Sequence, residues 1–417
     1  MKRKIFDAVG QERIHQLKKL LSINEDKDYT SNFIWYLTLV PFLFPKGFAE
    51  YFSSYKAFSV LILGIATSII LARELYIGIY YHWYIMSNVP FMLTLLYHIV
   101  LLVITISVQG TITEGLQKIF VAPAVCLLLD EGGRRNLFNI IDATCNILII
   151  EFLLNILIFN QWLFPSYFLV NNHITFIGHV QVAAEIGTLG LLIAYAEYRH
   201  GMHKAKATLL IVLSFITMIY SKTATSYASI ALITVLLLIG KVVQIKEFTV
   251  RHIQLITAIL IALTFMWINV DYISIFPKFH NALVLYLHGR TFVWNQGIEL
   301  FKEKPFFGYG AYGAKIRPFW VQWTNNGLGF NYAHNTILQL LLDGGIVLTT
   351  MFIIVIFTYL HHTQNNIKDH NIKYAIYVLF ITLLFIGQFE SKTENYYFFM
   401  FLSLIPYMGE LEGESTT

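Results

Sequence analysis

Twelve apolar stretches dominate this chain and leave it little choice of fold. They lie near 32–46, 57–72, 89–109, 115–130, 138–160, 177–197, 206–220, 224–240, 253–270, 336–360, 374–389 and 395–409. A helix that spans a bilayer needs roughly 17–25 mostly apolar residues, and most of these stretches reach or approach that length. Some are short or interrupted: the first carries Pro41 and Pro45, the fourth Pro123. The expectation is therefore an all-α polytopic membrane protein with about twelve transmembrane helices, ten to thirteen being compatible with the interruptions. Composition agrees, with 56% hydrophobic and 13% charged residues, where a soluble chain carries about 25% charged. A single buried core of the soluble kind is not the expected picture.

The basic residues orient the spans. Numbering from an inside N-terminus puts Arg73, Arg134–Arg135, Arg199, Lys204, Lys206, Lys241, Lys246, Arg251, Lys368 and Lys373 in cytoplasmic loops. The opposite loops hold Lys46, Lys56, Lys118, Lys222 and Lys392, one long segment apart. That bias follows the positive-inside rule, so both termini are expected in the cytoplasm of a multi-pass protein of the cytoplasmic membrane. Residues 1–30 are polar, without the apolar centre or cleavage site of a secretory signal, and are expected to form a cytoplasmic tail. Cys126 and Cys145 both lie in apolar runs, which suits neither a disulfide framework nor a metal site.

The resulting organisation is a tail (1–30), nine spans (31–270), a long outer loop (271–335) and three spans with a short cytoplasmic end (336–417). Long structured loops are where membrane proteins tend to keep specific chemistry. In this one, TFVWNQGIELFKEK places Trp294, Ile298 and Phe301 at helical spacing. An amphipathic helix is predicted from near Arg290, ended by Pro305.

The helix is followed by FGYGAYG, in which Gly308, Gly310 and Gly313 spell G-x-G-x-x-G. A dinucleotide fingerprint needs a preceding strand, a helix opening within it and an acid about 20 residues on. Here a helix precedes, and no acid follows before Asp343. No nucleotide is expected there, and nucleic acid is not an expected partner. The glycines are expected instead to turn the loop sharply and bring its backbone close to a ligand.

GRTFVW (Gly289–Trp294), KPFFGYG (Lys304–Gly310) and AHNTILQLLLDGG (Ala333–Gly345), in that order, resemble the O-antigen polymerase and ligase family of bacterial membrane enzymes. The family pattern is an Arg followed by a Trp, then P-x-x-G-x-G, then His-Asn nine residues before a Gly. The resemblance covers roughly Ile219 to Asp343; the N-terminal half shares only its run of membrane helices. Two positions depart from the pattern. Ser221–Lys222 stands where relatives have Ser-Arg, which keeps the charge but loses the bidentate fork, and Leu348 stands where they prefer Gly, Thr or Tyr.

The resemblance implies a glycan on a polyprenyl diphosphate, presented at the outer leaflet and transferred to a sugar hydroxyl. That chemistry needs cations for the diphosphate, a base for the hydroxyl and an apolar groove for the lipid. Arg290 at the start of the loop helix suits the first role and His334 the second; these are the expected catalytic residues. Lys222, Arg317, Asn335, Trp294, Gly308 and Gly310 are the expected diphosphate or glycan contacts, with Asn335 also suited to cap the following span. Aromatic residues of the loop, Phe306, Phe307, Tyr309, Tyr312, Phe319, Trp320 and Trp323, suit sugar stacking or an interfacial belt. Acids in or near spans are further candidates because charge there is expensive: Glu151, Glu185, Asp343, Glu390 and Glu394. No cofactor or metal is expected, His361–His362 lying in a cytoplasmic loop. The partners implied are the lipid-linked glycan, membrane lipid, and a chain-length regulator and flippase. The leading function is a repeat-unit polymerase making capsular, exo- or O-antigen polysaccharide. A ligase acting on another acceptor is the first alternative. A flippase or transporter for the same lipid is the second, disfavoured because the two halves show no paired repeats.

Overall fold

The computed structural model describes residues 29–81, 88–158, 175–200, 203–243, 250–268, 290–313 and 332–412. Among these, regular structure is helical and there is no β-strand. The longer helices are α1 (Tyr29–Leu39), α2 (Ser53–Tyr81), α3 (Val89–Ser107), α4 (Ala122–Ile158), α5 (Ala183–His200) and α6 (Lys204–Tyr220). They continue with α7 (Ala224–Val243), α8 (Val250–Ile268), α9 (Arg290–Glu303), α10 (Thr336–Asn366), α11 (His370–Ile386) and α12 (Tyr397–Leu404).

Among the described residues, six stretches are both long and apolar enough to cross a membrane: Ser53–Tyr76, Val89–Ser107, Gln117–Leu157, Val180–His200, Ala224–Lys241 and Thr336–Asn366. Three apolar helices are shorter, at Phe33–Phe42, His370–Ile386 and Tyr397–Leu411. Proline accounts for two of the short ones, because it cannot donate to the preceding turn. Pro41 falls where α1 gives way to a 3-10 turn, and Pro406 lies in the 3-10 segment Ile405–Glu412 that follows α12.

The stretch expected to form spans at 115–130 and 138–160 is one helical run broken at Asn136 (φ −160°, ψ 80°). Residues eight apart in an unbroken helix stand about 12 Å apart. Yet a Cβ on Gly132 would lie 3.2 Å from the Ile140 Cβ, so the chain doubles back at this point. Arg134 and Arg135, just before the break, pair with Asp130 and Glu131 one turn earlier.

The helices run between two ends. At the lower end Asn88 bonds Asp130, Arg73 pairs with Glu131, Arg199 with Asp369, and Lys206 with Asp142 and Glu197. At the upper end Lys392 pairs with Glu185, the Tyr396 hydroxyl donates to the Phe42 carbonyl, and Thr336 N–H donates to the Gly387 carbonyl. Between them lies a core of aromatic and small residues. Tyr97 packs against Phe352 and Phe399 with ring centroids 5.9 and 5.7 Å apart. Gly187 and Gly190 let α5 approach Met218 and Ser214 of α6, the small-residue contact that membrane helices use in place of a hydrophobic drive.

Candidate functional site

The site is built where α9, α10 and the turn after α11 meet at the upper end. Helix α9 starts at Arg290 and ends two residues before Pro305. Its buried face is Val293, Trp294, Gly297 and Leu300, with the expected Ile298 and Phe301 only half-buried. Gly297 sits against Leu338 of α10, where a Cβ would come within 2.8 Å of its side chain. Trp294 is fully buried and its indole Nε1–H donates to the Ala333 carbonyl at 2.9 Å. Trp294, expected as a diphosphate or glycan contact, is here a buried ring that fixes the chain next to His334.

The glycine-rich stretch packs into a break in the next helix. Helix α10 is broken at Gly344 (φ −145°, ψ 15°) and Gly345 (φ 62°, ψ −158°). A broken helix strands carbonyls on one side of the break and N–H groups on the other, a large cost in a lipid-embedded chain. The 305–310 segment threads into the break and takes up both sets. Tyr309 N–H donates to Leu342 O and Gly310 N–H to Asp343 O, both at 2.8 Å. In return Ile346 N–H donates to Pro305 O at 2.8 Å and Val347 N–H to Phe306 O at 3.3 Å. The approach is so close that a Cβ on Gly308 would lie 2.4 Å from Leu342 O, and one on Gly345 2.3 Å from the Phe306 carbonyl. Both glycines also have positive φ, +57° and +62°, a region costly for other residues. Gly308 and Gly310 thus bring the loop close to the protein's own helix.

Glu390, in the turn after α11, is the hub of the exposed part of the site. Its Oε1 accepts from Arg290 at 2.6 Å; its Oε2 receives His334 Nδ1 at 3.1 Å and the Tyr332 hydroxyl at 3.2 Å. The Tyr332 and His334 rings lie 4.3 Å apart. Burial pushes the Glu390 carboxyl up, but His334, Arg290 and Lys392 outweigh it and hold the group down at about 2, so it is a carboxylate. His334 itself has φ +50°, an uncommon backbone state that persists only when neighbours enforce it. Asn335 caps α10, accepting from Leu338 N–H at 3.0 Å, and donates to the Gln388 carbonyl at 3.0 Å. Thr336 Oγ1 donates to Glu390 O and accepts from Lys392 N–H, stapling the two turns together.

Behind this hub lies a fully buried cluster. Lys118, in the π-turn Gln117–Val121 that leads into α4, pairs with Asp343 at 2.5 Å and Glu394 at 2.6 Å. Asp343 Oδ1 also accepts from Gln339 Nε2 at 2.8 Å and Tyr312 N–H at 3.2 Å. The Glu394 carboxyl is raised above its ordinary value by burial, with Asp343 beside it adding to the rise against the pull of Lys118. Glu185 pairs with Lys392 at 3.3 Å and accepts from Phe398 N–H.

Of the other expected residues, Lys222 is exposed between α6 and α7, with φ +53°. Among the described residues it makes no hydrogen bond or ion pair with Arg290, His334 or Glu390. Arg317, Phe319, Trp320 and Trp323 lie outside the described residues. Phe306 and Phe307 are exposed, Tyr309 is buried, and Glu151 lies buried in α4. Asp142, Glu197 and His203 bring potential metal-ligand atoms within 4.8 Å of one another at the lower end. Lys206 sits on both carboxylates, so the protein's own ammonium already supplies positive charge there. Sequence reasoning missed Tyr332, Gln339 and the inward role of Lys118. Gln339 and Asp343 carried a signal: two polar side chains four apart in an apolar run share one helix face.

A model of the O-antigen ligase family matches residues 209–353. That range holds Lys222, Arg290, Trp294, the glycine loop, His334 and Asp343, while Lys118, Glu390 and Glu394 fall outside it. Over 109 residues the chain is 32% identical to a protein of Rickettsia felis named "Putative polysaccharide ligase", covering 24% of this chain and 25% of that protein. The chain therefore matches about a quarter of that curated relative's length. Residues 209–353 are thus the part of the chain similar to the O-antigen ligase family, and the Arg-Trp, P-x-x-G-x-G and His-Asn motifs stand within it.

Proposed function

We propose that this protein is a glycosyltransferase of the cytoplasmic membrane that moves a glycan from a polyprenyl diphosphate to a sugar hydroxyl on the outer face. The observation that carries this is the convergence of Arg290, His334 and Tyr332 on one carboxylate at the mouth of the family-matching region. The same donors suit a phosphate oxygen. Twelve passes with both ends inside are supported by the way the helices alternate between the two ends and by the arginines gathered at the lower one.

In the reaction the acceptor oxygen attacks the anomeric carbon and the bond from that carbon to the phosphate oxygen breaks. The diphosphate departs with the electron pair. Glu390 accepts a hydrogen bond from the Nδ1–H of His334, which keeps its proton there and leaves the Nε2 lone pair as the base for the acceptor proton; the carboxylate then stabilises the imidazolium. Arg290 leaves Glu390 Oε1 for the departing diphosphate, so positive charge moves to the leaving group as Glu390 becomes available to the imidazolium. No metal is required by this scheme.

Polymerisation, in which the acceptor is a second lipid-linked repeat unit, is the first reading, on the Ser221–Lys222 variant and the compact motif set. A ligase is the second, favoured by the name of the Rickettsia felis relative. Purified protein in lipid, given a polyprenyl-diphosphate oligosaccharide, is expected to make longer lipid-linked chains. Transfer only to a different acceptor would move the assignment to ligase, and no transfer to either would overturn the transferase reading. A Lys304→Cys protein is expected to react with an impermeant thiol reagent from outside; labelling from the cytoplasmic side alone would reverse the orientation.

A further inference from the structure

The Gln339 side chain links the buried Lys118 cluster to the reactive turn. Gln339 Nε2 donates to Asp343 Oδ1 at 2.8 Å, and its Oε1 accepts from Ala333 N–H at 2.7 Å. The Ala333 carbonyl is held from the other side by the Trp294 indole at 2.9 Å. Both backbone groups of the residue before His334 are therefore fixed, and the residue after it is fixed by its cap and its bond to Gln388 O. Gln339 is 1% exposed, and a buried amide bonded at both ends has one geometry open to it.

We infer that Gln339 is a positioning residue for His334: it clamps Ala333 against Asp343 and so holds His334 in its left-handed backbone state with Nδ1 on Glu390. The strain explains why a clamp is needed. A non-glycine residue with φ near +50° relaxes unless its neighbours over-determine it. Relaxation would swing the imidazole away from Glu390 Oε2, and misplacing a reacting group by about 1 Å can cost about 10²-fold in rate. Asp343 can serve as the far anchor because Lys118, which also faces Glu394, locks it in place. The rate effects rest on the transferase reading; the position of the imidazole does not.

The test uses the full chain in lipid nanodiscs. Two quantities are read: carbethoxylation of His334 by diethyl pyrocarbonate, followed by peptide mass spectrometry, and the kcat and KM of glycan transfer. Gln339→Leu is expected to raise the His334 labelling rate and to lower kcat by about 10²-fold with KM for the donor unchanged. Gln339→Glu keeps an acceptor for Ala333 N–H but sets a second carboxylate against Asp343. Its activity is expected to recover as pH is lowered and the new carboxyl regains a proton to donate, a response that a bulk packing role would not give. Trp294→Phe removes the other bond on Ala333 and is expected to change labelling and kcat in the same direction. A folded Gln339→Leu protein with wild-type labelling and kcat would overturn the inference. Should that variant fail to fold, wild-type labelling, kcat and pH profile in Gln339→Glu would do the same. Altered labelling in a protein that transfers to no acceptor would sink the transferase reading and leave the positioning role standing.

Discussion

Glu390→Gln is the most revealing single change, because one carboxylate serves a guanidinium, an imidazole and a phenol. Its carboxyl lies at about 2 against an ordinary 4.5: burial raises it, and His334, then Arg290 and Lys392, more than reverse the rise. A tenfold change in proton affinity is worth about 1.36 kcal/mol, so the drop corresponds to about 3 kcal/mol of folded-state stabilisation. Removing one partner of a buried pair costs about 3–5 kcal/mol, and glutamine, which keeps the shape and one acceptor, belongs at the low end. The sign of the pH effect follows from the depressed value. The contribution is present in full above the unfolded carboxyl's value, near about 4.3, and is lost as pH falls toward about 2.

Denaturant titration in detergent micelles across pH reads this directly. The wild type is expected to exceed Glu390→Gln by about 3 kcal/mol near neutral pH, with the gap closing between roughly pH 4 and 2. A gap of the same size at both extremes would refute the electrostatic account and leave shape as the cause. The variant also frees Arg290 from a competing anion. Inorganic pyrophosphate is therefore expected to bind it more tightly than wild type by calorimetry, while transfer slows because a neutral amide no longer stabilises the His334 imidazolium. Weaker pyrophosphate binding would show that Glu390 holds Arg290 ready for the anion instead of competing with it.

Other perturbations follow from the same geometry. Arg290→Ala is expected to lower kcat for transfer by about 10²–10³-fold, measured with the fold verified by melting. Gly345→Ala forces a Cβ to within 2.3 Å of the Phe306 carbonyl at φ +62°; it is expected to expel the loop from the break in α10, lower the melting temperature and expose Gly310 N–H to hydrogen exchange. Lys118→Met leaves Asp343 and Glu394 buried without their ammonium and is expected to cost about 3–5 kcal/mol, partly restored by adding Glu394→Gln. Asn335→Ala removes the cap of α10 and is expected to cost about 1 kcal/mol in the same titration.

The membrane architecture could be read in the sequence because hydropathy and charge act locally. Arg134–Arg135 between two apolar runs marked the place where the chain doubles back, and Pro41 marked the early end of the first helix. The loop helix was visible for the same reason, its start and end being set by Arg290 and Pro305. The break in α10 was not visible. Gly344–Gly345 inside an apolar run is compatible with a close helix contact, and nothing in the side-chain pattern says that a segment about 35 residues upstream supplies the missing backbone partners. For the same reason the glycines of the 305–310 stretch suggested approach to a ligand. The pairing of Arg290 with Glu390, a hundred residues away, is equally non-local. Each residue was a candidate alone, and their partnership is a property of the fold.

Three cations at the upper end share one design, and exposure decides which of them can do chemistry. Charges in a lipid-embedded protein are costly unless paired, and Arg290, Lys118 and Lys392 each have a carboxylate: Glu390, Asp343 with Glu394, and Glu185. Pairing keeps each ammonium or guanidinium charged and placed, yet it also neutralises the group that an anionic substrate would need. The pair must therefore open where the substrate binds and stay closed elsewhere. The Lys118 and Lys392 side chains are 2% and 3% exposed, with partners equally buried, so parting them would strand charges in the interior. Arg290 and His334 are 17% and 16% exposed over a Glu390 that is itself nearly covered. An anion arriving from water can reach those two and exchange places with the carboxylate between them. Among the described residues, the Arg290–Glu390–His334 group is thus where partner exchange costs least, and the buried pairs beneath it serve to hold it in register.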